Sequence, residues 1–285
     1  MFKNTFAIEN TKNMKRKLLW VELTLFILLI IVAYSFIYYS FLSSPARIAL
    51  PTAERADLTQ LVTWPDSLTK LLNIVGGSGL GPLLIIIFIG AVTAQEYTWR
   101  TFHLWLSRGI PRPLLLVAKF TALLVPILAI VLTTLITGAV MTAIFSFMIN
   151  GTLNADQVNL TQLLLSVART IFTLLPYAGL TFFLAVASRS TVVAIGGSLA
   201  YALLFEDILM QVLGLLGETM GRLSQFLPAA LANRLMLFNQ TAIGIESTQP
   251  MGSMTPLVTS LGIIAWIVFF LGMSLIIFQR QDLND

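Results

Sequence analysis

Residues able to do chemistry are scarce in this chain, and they gather between Glu96 and Lys119. That stretch, EYTWRTFHLWLSRGIPRPLLLVAK, holds one acid, three arginines, a lysine and the only histidine, His103. Acid–base or metal chemistry would need more. A single histidine argues against a histidine-based zinc site, and the absence of cysteine removes thiolate ligands, disulfides and cysteine nucleophiles. No Ser/His/Asp set, HExxH motif or pair of spaced carboxylates is present. His103, beside Trp99 and Trp105, reads as interfacial. Gly76-Gly77-Ser78-Gly79-Leu80-Gly81 looks superficially like a phosphate loop, but no Lys-Ser/Thr closes a Walker A pattern and no strand precedes it. It reads instead as a place of close packing or flexibility, as does Gly196-Gly197. The chemistry left to the Glu96–Lys119 stretch is recognition by charge and aromatic surface.

The elements that position it are apolar. Of 285 residues, 57% are hydrophobic and only 11% charged, and the mean hydropathy is +0.87. Soluble domains carry roughly 25% charged residues, so the solvent for this chain is lipid. The net charge of +4 belongs to membrane orientation, because the basic residues flank apolar runs; nucleic acid is not implied.

A span needs about 20 predominantly apolar residues. Six runs qualify, at 18–42, 71–94, 114–149, 163–187, 191–215 and 256–278. The first exceeds the length of a signal-peptide core and is expected to stay as a membrane helix. Pro82, Pro126 and Pro176 fall inside runs, where kinks are expected. The expected fold is therefore all-α, a single polytopic unit over residues 1–285. Residues 1–17 form an amphipathic inner-face helix or a basic tail.

With the N-terminus inside, eleven of the seventeen lysines and arginines fall on the inner side and five on the outer side, with Arg169 within a span. The positive-inside rule then places both termini in the cytoplasm. The loop 95–113 becomes cytoplasmic, and the segment 216–255 lies outside. The apolar middle of that segment, Phe226–Phe238, is too short to span and reads as interfacial or re-entrant. Three N-x-S/T sequons on the outer side are equally well explained by chance.

Charges inside apolar runs are costly and need partners. If the fourth and fifth runs form a hairpin turning near Ser188–Ser190, Arg169 comes level with Glu206 and Asp207. A bridge between these helices, a place in an export path, or snorkelling of Arg169 are the alternatives. Glu22, a turn inside the first run, could pair with Lys15 or Arg16. Tyr34, Tyr38, Tyr39 and Trp20 fit an aromatic belt.

Within 95–113, Tyr97, Trp99, Phe102 and Leu104 suggest a short helix ended by Ser107-Arg108-Gly109 and Pro111. The pattern Glu96-x-x-x-Arg100-Thr101, then Leu106-Ser107-Arg108-Gly109-x-Pro111-Arg112 and Ala118-Lys119, resembles the segment after the second span of ABC-2-type ABC transporter permeases. The tail Phe278-Gln-Arg-Gln-Asp282-Leu283 is similar to their closing pattern. Trp99 departs from the usual glycine before threonine, shifted by an arginine, and Gly109-Ile110 departs from Arg-Pro.

The resemblance implies an ATP-driven exporter in a prokaryotic plasma membrane. This chain would be its permease, not an enzyme itself, and would bind no cofactor. It would pair with a second permease copy or paralogue and with two cytosolic ABC ATPase subunits that carry ATP and Mg. An outer-side accessory protein is a further expected partner. Glu96, Tyr97, Trp99, Arg100, Thr101, Phe102, Arg108 and Arg112 would form the coupling surface, with Glu96 and Arg100 as polar anchors. Other readings are a non-transport subunit that transmits ATPase motion across the bilayer, and a secondary transporter or channel.

Overall fold

The computed structural model describes residues 2–43, 64, 66–150, 160–241 and 255–281. The loop 44–63, the connection 151–159, the second part of the segment before the last run (242–254) and the residues after 281 lie outside the described residues. Among those described there is no strand. Twelve helices follow in order: α1 Phe2–Met14, α2 Lys17–Ser43, α3 Asp66–Val75, α4 Leu80–Thr98, α5 Thr101–Ser107, α6 Arg112–Asn150, α7 Leu160–Ser188, α8 Thr191–Ala200, α9 Glu206–Leu215, α10 Glu218–Ser224, α11 Pro228–Thr241 and α12 Pro256–Arg280. A π-helical turn, Tyr201–Phe205, joins α8 to α9.

Six helices are long and apolar enough to cross a membrane: α2, α4, α6, α7, the continuous α8–α9 and α12. Such helices bury every backbone N–H and C=O within themselves, which is what a hydrocarbon solvent demands. Several of their hydroxyls are satisfied in the same way. Thr134, Thr142, Thr170, Thr181 and Ser274 each donate to the carbonyl four residues earlier. Pro126 and Pro176 lie inside unbroken helices. Pro82 does not act as a kink: it is the third residue of α4, where its missing N–H would have had no helical partner.

α4 and α7 are the most buried of these helices, and α6 closes the core beside them. α7 packs along α12, α4 and α8; α6 packs along α1, α2 and α3. α4 and α8 touch closely at Gly90, where a Cβ would come within 2.6 Å of Ile195 Cγ1. α2, α8–α9 and α12 turn large apolar residues outward, among them Leu25, Val32, Phe36, Leu204, Val268 and Phe269, as lipid-facing helices do.

The second apolar run is not one helix. The Gly-rich turn splits it into α3 and α4, with Gly77 at φ +61°. A Cβ there would also lie 2.4 Å from Asn233 Oδ1. The turn is a packing site, since Ser78 N and Oγ both donate to Asn233 Oδ1 of α11, at 2.9 and 3.1 Å.

Two ends of the bundle follow from the helix directions. One carries α1, α5, the start of α6 and the end of α12. The other carries the Gly-rich turn, α10 and α11.

Candidate functional site

At the α5 end, α4 runs to Thr98, Arg100 adopts a left-handed conformation (φ +52°), and α5 begins at Thr101. The Thr101 hydroxyl donates to Glu96 O at 3.2 Å and fastens this elbow. Gly109, at φ +76°, then turns the chain into α6.

Glu96 does not face outward. It is 2% exposed and belongs to a closed ring of four charges. Lys119 of α6 pairs with Glu96 and, at 2.8 Å, with Glu9 of α1. Lys12 of α1 pairs with Glu96 and, at 3.5 Å, with Glu9. Each Glu96 oxygen accepts from a different lysine. Two acids and two ammonium groups leave the ring neutral. Buried charges persist only when paired in this way. Arg16 adds a hydrogen bond to Gln95 Oε1 at 2.6 Å and lies 5.4 Å from the centre of the Trp99 ring. Burial lowers the Arg16 pKa from its ordinary value, while Glu96 and Glu9 work to raise it; an arginine stays cationic throughout.

α1 is amphipathic in the reverse sense. Its buried stripe is Thr5, Glu9 and Asn13, spaced by four, while Phe2 and Ile8 are exposed. The hydrophobic pattern of residues 1–17 hides this, because the helix is held by charge and not by grease.

The remaining coupling candidates divide into two groups. Phe102 is buried, with ring centres 4.6 Å from Tyr97 and 5.1 Å from Phe278, and Lys119 Nζ lies 4.9 Å from its ring. Tyr97 donates to Gln281 Oε1 at 3.2 Å, and Gln281 Nε2 donates to Val186 O at 2.7 Å. Arg112 donates to the carbonyls of Phe278, Gln279 and Gln281 at 2.9–3.1 Å, capping the C-terminus of α12. Glu96, Phe102 and Arg112 are thus committed to this chain's own helices, as is most of Tyr97. Trp99, Arg100 and Arg108 are exposed, and Leu104 with them. The side chain of His103 lies outside those described.

Among the described residues, the exposed charge at this end is basic. Lys3, Lys15, Lys17, Arg100, Arg108, Arg189 and Arg280 are exposed, whereas Glu9 and Glu96 are in the ring. Glu22 is buried too. Neither of its oxygens has a hydrogen-bond partner among the described residues, so its expected pairing with Lys15 or Arg16 is absent.

At the other end the expected bridge between Arg169 and Glu206 or Asp207 is not formed. Arg169 donates to Phe238 O at 3.2 Å and Asn239 Oδ1 at 3.3 Å. Glu206 accepts from Tyr177 Oη at 3.2 Å and from Ala229 N. Asp207 is exposed. The reason is that the hairpin of α7 with the fifth run is packed along α8 and, past the π-helical turn, keeps the Tyr177–Glu206 bond at the start of α9. Beyond the π-helical turn α9 packs on α10, and α11 lies against α7 instead. A cavity of about 280 Å³ at this end is lined by Asn73, Gly76, Ser78, Gly79, Asn233, Met236 and Leu237. Among the described residues no cluster of histidine, cysteine and carboxylate side chains could hold a metal.

A family model described as a protein of unknown function (DUF2705) matches residues 68–284, more than half of the chain. The matched stretch takes in Glu96 and Lys119 and begins after Glu9 and Lys12. No curated protein matches the chain.

Proposed function

The chain belongs to the DUF2705 family of unknown function, and from that premise we propose that it is the permease subunit of an ATP-driven exporter. In this reading its α5 end faces the cytoplasm of a prokaryotic cell and docks a separate ABC ATPase, two copies per permease dimer. α5 is the coupling helix. The reading rests above all on the two-sided character of the loop. Its inner side is tied to α1, α4, α6 and α12 through Glu96, Phe102 and Arg112. Its outer side offers Trp99, Arg100, Leu104 and Arg108. A short helix whose flanking helices are bound to α1 and α12, and which is exposed on one basic, aromatic face, suits the passage of a partner's rigid-body motion into the spans.

Two further features support the reading. The basic exposed charge of the described residues fits the positive-inside rule and an acidic docking groove. The left-handed backbone at Arg100 makes a sharp elbow directly before Thr101, a conformation that glycine adopts freely and arginine rarely does. The anchors then differ from the sequence expectation. Trp99, Arg100, Leu104 and Arg108 meet the ATPase, while Glu96 and Phe102 hold the loop from within.

The experiment is purification from its native membrane in mild detergent, with identification of co-purifying subunits and measurement of ATP hydrolysis. An ABC ATPase whose turnover depends on this chain is expected. Its absence, or labelling of Leu104→Cys from outside the cell, overturns the proposal.

A further inference from the structure

The α5 loop is flanked by α4 and α6, and a single Glu96–Lys119 contact between its flanks would act as a pivot. α1 removes that freedom. It supplies an acid and an ammonium group from one face, three residues apart, so each of Glu96 and Lys119 has two partners. Arg16, just past α1, reaches the elbow at Gln95 and Trp99. Glu9, Glu96 and Lys119 are each at most 5% exposed, so water does not compete for their pairs.

We infer that Glu9 and Lys12 are positioning residues for the α5 loop, fixing its angle to α6 through the ring they complete with Glu96 and Lys119. The loop then moves together with α1 as one body. Its use in coupling rests on the function proposed above; the mechanical link itself is independent of any partner and is tested without one.

The chain has no cysteine, so nitroxide labels can be placed at will. Ala7→Cys on α1 and Leu104→Cys on α5 are both exposed sites. In lipid nanodiscs, pulsed EPR between them is expected to give a narrow distance distribution. Lys12→Met should broaden or shift it, and Lys12→Arg should restore it. Lys12 is chosen because its side chain is the most exposed of the ring, at 26%, and its loss leaves Lys119 joined to both acids, so the fold survives. Glu9→Gln provides a second variant and should also broaden the distribution. Unchanged distributions in both Lys12→Met and Glu9→Gln overturn the inference. Broadening with unaltered ATP hydrolysis by the co-purified ATPase leaves the mechanical link standing and sinks the coupling role of α5.

Discussion

Arg169 and Glu206 hold opposite ends of one helix. Glu206 accepts from the N–H of Ala229 in the first turn of α11, and Arg169 donates to the carbonyl of Phe238 near its last turn. The nine-residue offset between those two positions corresponds to about 14 Å of helix. Each charge thus meets the end of the helix dipole that attracts it. Two ions that would be costly alone in an apolar bundle are satisfied by backbone groups at the two ends of α11.

Arg169→Glu combined with Asp207→Arg is therefore expected to show no rescue. The double-mutant coupling energy should be below about 0.5 kcal/mol, the range of independent sites. Thermal unfolding in detergent of the two single variants and the double variant checks this. A coupling of more than 1 kcal/mol would reinstate a bridge between α7 and the fifth run.

Glu206→Ala removes a cap from α11 and leaves Tyr177 Oη without its partner. A loss of about 1–2 kcal/mol is expected. Hydrogen exchange should rise at the first turn of α11 more than in α8. Equal exchange in wild type and variant would count against the cap.

Lys119→Met leaves Glu9 and Glu96 buried with only Lys12 between them. Breaking a buried pair in this way costs about 3–5 kcal/mol. Arg222→Ala breaks the pair with Glu218, whose side chains are 72% and 84% exposed, and should change stability by less than about 1 kcal/mol. Apparent melting temperatures of the two variants, measured side by side, test the contrast. Similar values for the two would show that the ring carries no stability.

Gly77→Ala faces both a left-handed backbone and Asn233 Oδ1. A loss of at least about 1–2 kcal/mol is expected from the backbone alone, with separation of α11 from the turn. Gly196→Ala has nothing within 4 Å of its new methyl and sits inside α8, so it should be neutral or stabilising by up to about 1 kcal/mol. Thermal unfolding of the pair separates a required glycine from a tolerated one.

Trp99→Ala with Arg108→Ala should abolish recovery of the ATPase while leaving the permease stable to within about 1 kcal/mol, because both side chains are exposed and Trp99 gives up only its contact with Arg16. Glu96→Ala should lose both, since it opens the ring. Recovery of the ATPase with the first variant would remove the docking role from this face.

The spans were legible because hydropathy is a local signal. The fifth run, 191–215, coincides with α8–α9, and the sixth, 256–278, is two residues short of α12. The split of the second run at Gly76–Gly79 was not read, since that turn is set by Asn233, 155 residues away from Ser78. The ring was not read either. Lys119 finds Glu9 across 110 residues, and the helix carrying Glu9 shows its polar stripe to the protein, the opposite of what an amphipathic pattern suggests. A lysine two turns into an apolar run was the available clue, because such a charge needs a buried acid. The expectation that Arg169 comes level with Glu206 and Asp207 rests on a hairpin register that counts residues evenly. That assumption fails once a π-helical turn intervenes and a third helix fills the space.

The wide turn at Tyr201–Phe205 has a mechanical outcome. Ahead of it, α8 is wedged against α4 and α7; past it, α9 packs on α10 and keeps α7 by the Tyr177–Glu206 bond. Glu206 is the first residue after the turn, and its carboxylate is fastened to the beginning of α11. Tilting α9 about that joint would drag α11 by its leading end, so a bend in one crossing helix would be felt as a tug on the short helix beside it.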